Sequence, residues 1–299
     1  MPSYISHAIM MEKLYMDHYN DKKIFKNELK LNDLKTYSLG TDLATSSLIL
    51  RHNPHREYTQ DFFLFMAKYI KDNNLTGNDN IISLLYGHIA HYFLDINAHP
   101  FIYYIEKSNQ NFTLIPSHHL IEGYLDSYLS KKILKKDIMS LNESYFNKGC
   151  ITKEASLLLE RIYQKIYHVK FISLSYKKTL MIFSVLERIL KSGLFTKRDL
   201  YKITGLMNYL NKNKLNINDL SNENYLYYQN PTSGEYLRNS FLELFYKSIY
   251  ETLNAIDNVN LYLYNNKSLD ELKIVFNNLS YDTGLKCEYG NKMIYIKKK

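Results

Sequence analysis

The segment spanning residues 87–126 constrains this chain more than any other. It reads GHIAHYFLDINAHPFIYY, then a polar break, then SHHLIEGYLD. A helix turns every 3.6 residues, so residues four apart share a face. His91 and Asp95 therefore point one way, with His99 a turn beyond, and His118, Glu122 and Asp126 form a second stripe. Between them lie Ile89, Phe93, Leu94, Ile121 and Leu125, which mark both helices for burial. A buried carboxylate is costly unless it is paired or coordinated. Taken singly, each residue reads more simply as a satisfied core or surface side chain. Taken jointly, imidazoles and carboxylates on two buried helices are what a divalent ion such as zinc requires.

The rest of the chain reads as helix too, because breakers are few: five prolines and ten glycines in 299 residues. Helices are expected over 7–19, from Thr59 onward, and over 81–97 with Asp79 as cap. The last of these should stop before His99-Pro100, since the residue preceding proline disfavours helix. Others are expected over 118–129, 153–167, 176–191 and 196–211. The turn Asn230-Pro231-Thr232 should launch one over 235–264, and Ser268 caps a short one to Asn277. Asp42 could simply cap a helix over 43–50. Polar stretches over 108–117, 140–148 and 211–230 read as loops. Gly290-Asn291, between two short apolar-polar runs, predicts a small C-terminal β-hairpin. The expectation is an all-α fold: a single large multi-helix domain over 1–299.

The formal charge of +8 favours polyanionic partners such as phosphate esters, nucleic acid or an anionic lipid surface. Lys297, Lys298, Lys299 and solvated helix faces account for part of it. Cys150 and Cys287 match no zinc-ligand spacing and read as buried free thiols. The first twenty residues lack the basic start, apolar run and cleavage site of a signal peptide. No run of about 18 apolar residues exists, so no transmembrane segment is expected. The expected location is cytoplasmic, at most peripheral to a membrane.

Nine of the ten histidines precede residue 120, which packs the candidate ligands into the first part of the chain. Upstream of the central segment, His7, Asp42, His52 and His55 are available. His52 and His55 compete for one position. His118 is preferred to His119 because it stands four before Glu122, and His88 could support His91 from behind. His18 and His168 read as structural or surface residues.

At these residues the chain resembles the zinc-dependent phospholipase C family, closest to its broad bacterial branch. That family's signature of His-x-x-x-Asp, a His four later, then His-x-x-x-Glu stands here as His91, Asp95, His99, His118 and Glu122. Its earlier His, Asp and His match His7, Asp42 and His55 in order. A Gly-Thr-Asp turn (Gly40 to Asp42), an H…DFF segment and SY-x-TGL (Ser280 to Leu285) match as well. The resemblance implies an all-helical fold holding two or three zinc ions, with Asp95 bridging two of them. Asp42, His55 and His91 would complete one site, and His99, His118 and Glu122 another. His7 would serve a third. The implied activity is phosphodiester hydrolysis by a hydroxide that zinc generates at neutral pH, with Asp42 and Asp95 as catalytic residues and Asp126 orienting a ligand histidine. The secreted lipases of the family add the amino group of an N-terminal tryptophan, and this chain has no tryptophan. Two alternatives stand beside a phospholipid substrate: a single-strand zinc nuclease, and a non-catalytic zinc-binding helical scaffold.

Overall fold

The chain winds around one long helix. A computed structural model describes residues 4–44, 53–108, 117–136, 147, 149–191, 220–290, 292, 293 and 295. Among these the helices are α1 Tyr4–His18, α2 Leu31–Tyr37, α3 Thr59–Asp72, α4 Asp79–Ser108, α5 Ser117–Leu129, α6 Lys153–Ile166, α7 Ile172–Lys191, α8 Phe241–Tyr264 and α9 Leu269–Phe276. Two short strands, β1 Tyr228–Gln229 and β2 Tyr236–Leu237, pair antiparallel with Tyr228 opposite Leu237. The all-helical expectation holds. No helix among the described residues is long and apolar enough to cross a membrane.

Helix α4 is central because its sequence leaves it no solvent face. Ile82, Leu85, Tyr86, Ile89, Ala90, Leu94 and Ile102 are all fully buried. A helix apolar all round must be surrounded, and α1, α2, α3, α5, α6 and α8 all pack against it. The flanking helices start where their caps dictate. The Thr152 hydroxyl accepts from Ala155 N–H ahead of α6, and Ser240/Glu243 and Ser268/Glu271 form capping boxes ahead of α8 and α9.

Several boundaries differ from the sequence reading. Helix α4 does not stop before Pro100 but runs on to Ser108. Proline lacks the N–H that Ile96 carbonyl would accept, and a distant part of the chain packs against that oxygen from outside the helix. Gly284, at φ +65°, approaches so closely that a Cβ there would lie 2.5 Å from Ile96 O. Only glycine fits that approach.

Helix α8 begins at Phe241 rather than at 235, because the capping box sits at Ser240 and Tyr236–Leu237 belongs to the strand pair. A small strand pair is thus present near the C-terminus, but at Tyr228–Leu237, where none was expected. Beside Gly290 the chain instead forms a 3-10 turn, Cys287–Tyr289. Asp42 lies in a 3-10 turn, Gly40–Ala44. The rest of the helix expected over 43–50, the helix over 196–211, and most of the loop stretches lie outside the described residues. Both cysteines are free, but only Cys150 is buried, Cys287 being half-buried.

Candidate metal centre

Five segments converge on one buried point. Helix α1 brings His7, the turn Gly40–Ala44 brings Asp42, and the turn before α3 brings His55. Helix α4 brings His91, Asp95 and His99, and α5 brings His118 and Glu122. Among the described residues three groups place one donor atom from each member within 4.8 Å of the others. They are His7/Asp42/His91, His55/His91/Asp95 and His99/His118/Glu122. The first two share His91 and form one inner cluster of five residues. All eight residues singled out in the sequence fall in these groups. His52 and the side chain of His119 lie outside the described residues.

The inner cluster is tight. His7 Nε2 lies 3.2 Å from Asp95 Oδ1, and His91 Nε2 lies 3.3 Å from Asp95 Oδ2. His55 Nε2 lies 3.1 Å from Asp42 Oδ1, with His91 Nε2 3.7 Å from the same oxygen. The rings of His7 and His91 are 4.4 Å apart. These contacts are close but misaligned for hydrogen bonding. Both ring nitrogens of His7 and His91 and both oxygens of Asp95 are buried without a hydrogen-bond partner. Native interiors leave few polar atoms in that state. Donor atoms converging on one another, rather than on neighbours, are a fit for cations placed between them. Gly40 makes room for this arrangement: at φ +52°, a Cβ there would lie 2.3 Å from His91 Cδ2.

The outer group is braced differently. His118 Nε2 faces Glu122 Oε1 at 3.0 Å, and its Nδ1 faces Glu106 Oε2 at 3.4 Å. His99 Nδ1 donates to the Tyr281 carbonyl at 2.6 Å, leaving Nε2 buried and without a partner. His55 and His118 are the exposed edge of the centre, each with 13% of its side chain accessible, whereas His7, His91, Asp95 and His99 have none.

Electrostatics follow from burial. His91 and His99 are held well below the ordinary histidine value, burial foremost, with the neighbouring imidazoles adding to it. Burial pushes the Asp95 carboxyl up. Burial also acts to lower His55, but Asp42 overcomes it and raises the group. Burial likewise acts to lower His118, but the flanking Glu106 and Glu122 overcome it and raise the group.

Four supporting residues depart from the sequence reading. His88 does not brace His91. Its Nδ1 donates to Leu84 O at 2.8 Å and its Nε2 accepts from Tyr176 hydroxyl at 3.1 Å. Asp126 accepts from both the amide (2.9 Å) and hydroxyl (2.5 Å) of Ser6, which anchors the start of α1 next to His7. Glu106 was not singled out, because ending α4 before His99 hides that it stands seven residues further along the same face. Tyr281 acts through its backbone carbonyl, for which a sequence carries no signal. His18 is half-buried and His168 exposed, as surface residues should be.

Helices enclosing a buried set of imidazoles and carboxylates define a helical protein with a candidate multinuclear metal centre. The family model described as zinc-dependent phospholipase C matches residues 1–171, and the chain belongs to that family. No curated protein and no solved structure matches the chain. The matched region includes all eight residues of the centre, while Tyr281 lies beyond it.

Proposed function

We propose that this protein is a zinc-dependent phosphodiesterase of the phospholipase C type, acting on phospholipid headgroup esters and holding two or three zinc ions. The observation that carries the reading is the convergence of unpartnered, buried donor atoms from His7, His91, His99 and Asp95. In this reading Asp42, His55 and His91, with Asp95, hold one ion, and His99, His118 and Glu122 hold another. Asp95 has both oxygens available to span two ions, and His7 extends the inner cluster toward a third. Zinc there would lower the pKa of a water to about 7 and polarise the phosphoryl oxygens.

The chain's own residues supply orientation and proton handling. Asp42 is buried beside His55, which lies at the accessible edge, and its carboxylate can orient an attacking water and take its proton. The wholly buried His91 and His99, both held well below the ordinary histidine value, offer neutral imidazoles, the form that binds metal. Family membership supports the phospholipid substrate.

The test is elemental analysis of protein purified without chelator or affinity metal, followed by incubation with phospholipid vesicles. Two or more zinc ions per chain and release of a phosphorylated headgroup are expected. No bound zinc, even after zinc is added back, would overturn the proposal. Zinc with cleavage of single-stranded DNA but not of lipid would replace the substrate class. Bound zinc with no turnover on either would favour a scaffold.

A further inference from the structure

We infer that the loop 279–285 is a positioning element of the metal centre, serving both of its groups although it lies well beyond the residues that the family model matches. The inference rests on reading the centre as a zinc site. Its first support is the bond from His99 Nδ1 to Tyr281 O, at 2.6 Å. A carbonyl can only accept, so Nδ1 must carry the proton, and Nε2 is the nitrogen with the free lone pair. That Nε2 belongs to the group with His118 and Glu122. The loop thus selects the tautomer that a metal at this group needs.

The same loop fixes His55. Tyr281 N–H donates to the His55 carbonyl at 2.8 Å, and the Ser280 hydroxyl donates to it at 3.2 Å. One residue further along each strand of chain, Arg56 Nε pairs with Asp282 Oδ2 at 2.5 Å. Thr59, at the start of α3, donates its hydroxyl to Leu279 O at 2.8 Å. The Tyr281 ring lies 5.0 Å from the His55 ring and 5.5 Å from the His91 ring, closing the space behind both.

What seats the loop is the irregularity of α4. Pro100 leaves Ile96 O without its helical donor, and Gly284 packs onto that oxygen. Its N–H closes the turn by donating to Ser280 O at 2.9 Å. The dipeptide His99-Pro100 therefore does two things at once. It provides a donor atom for metal and the notch into which that donor's own support is keyed.

The experiment compares Gly284→Ala, Asp282→Ala and Asp282→Asn with wild type, each checked for folding by circular dichroism. Zinc affinity is read by chelator competition, and the His99 tautomer is read by ring nitrogen NMR on metal-free protein. Gly284→Ala should weaken zinc binding by about 10- to 100-fold and Asp282→Ala by about tenfold, the range found when groups supporting metal ligands are removed. Asp282→Asn, which can still accept from Arg56, should restore most of that loss. The Nδ1–H signature of His99 should dominate in wild type and give way to a mixture in Gly284→Ala.

Folded variants with wild-type affinity and an unchanged tautomer would overturn the inference. If wild type takes up no zinc, the proposed function fails, and the tautomer comparison still decides the role of the loop. If Gly284→Ala does not fold, the Asp282 pair decides it: equal affinity and tautomer in Asp282→Ala and wild type would refute positioning.

Discussion

His88 and His91 stand three residues apart on α4, equally buried and oppositely served. His88 faces α7, stacks between Phe62 and Tyr176, and has a partner for each ring nitrogen. His91 faces α1 and the Gly40–Ala44 turn, and neither of its nitrogens has a hydrogen bond. Burial alone is therefore not the mark of a ligand. The mark is burial combined with donor atoms that face only other donor atoms. The same contrast recurs inside the centre: the ring nitrogens of His7 and His91 have no hydrogen bond, whereas in the outer group His99 and His118 are braced through a ring nitrogen by Tyr281 and Glu106.

The largest effect should come from the residue that the inner cluster leaves most exposed to this logic. Asp95→Asn should remove zinc from the cluster and lower phosphodiester hydrolysis by about a thousandfold or more, since several kcal/mol of charge stabilisation are lost. Unchanged zinc content by elemental analysis would dissolve the distinction between His91 and His88. Stripping the metal comes next. A ligand present at a thousand times its dissociation constant stabilises the folded state by about 4 kcal/mol. Chelation should therefore lower the melting temperature by about 8 °C in scanning calorimetry. A melting point indifferent to chelator would mean that the donors are satisfied without a cation.

His88 sharpens the comparison from the other side. Burial lowers its pKa from 6.5 to about 4. The unfolded chain takes up the proton first as pH falls, so the stabilisation is whole above pH 6.5 and is lost on the way down to about 4. By linkage that loss is about 3 kcal/mol. Denaturant melts of metal-free wild type and His88→Gln should differ in pH slope by that amount over this window. Parallel slopes would show that His88 is not held neutral by its surroundings. The smallest effect is expected from Glu106→Gln. It should weaken zinc binding by about tenfold at the outer group alone, leaving the inner cluster as it was. Equal weakening of both would mean that Glu106 does not act on the outer group alone.

The centre was legible because its signal is periodic. His91/Asp95 and His118/Glu122 announce themselves by a spacing of four on largely apolar segments, and both segments are helical at those residues. Asp42 and His55 followed from order along the chain and from resemblance, not from periodicity. The failures share one cause, a simple local rule overruled by other contacts, near or far. Proline should have ended α4, but Gly284, almost two hundred residues later, covers the carbonyl that proline strands. Reading the helix as broken then hid Glu106. In the same way Ser240, not the earlier turn, sets the start of α8, because the preceding residues pair as strands.

The seat that Gly284 makes on Ile96 also sets a schedule for the molecule. A chain synthesised from its N-terminus completes α1, α4 and α5, and with them all eight donor residues, long before residues 279–285 exist. Until that segment emerges, His99 Nδ1 lacks its acceptor at Tyr281, and the turn that carries His55 lacks its bonds to Tyr281 and Ser280. On the zinc reading, metal capture at full strength waits for that segment, and a nascent chain stalled after α8 should release zinc faster than one that includes residues 279–285.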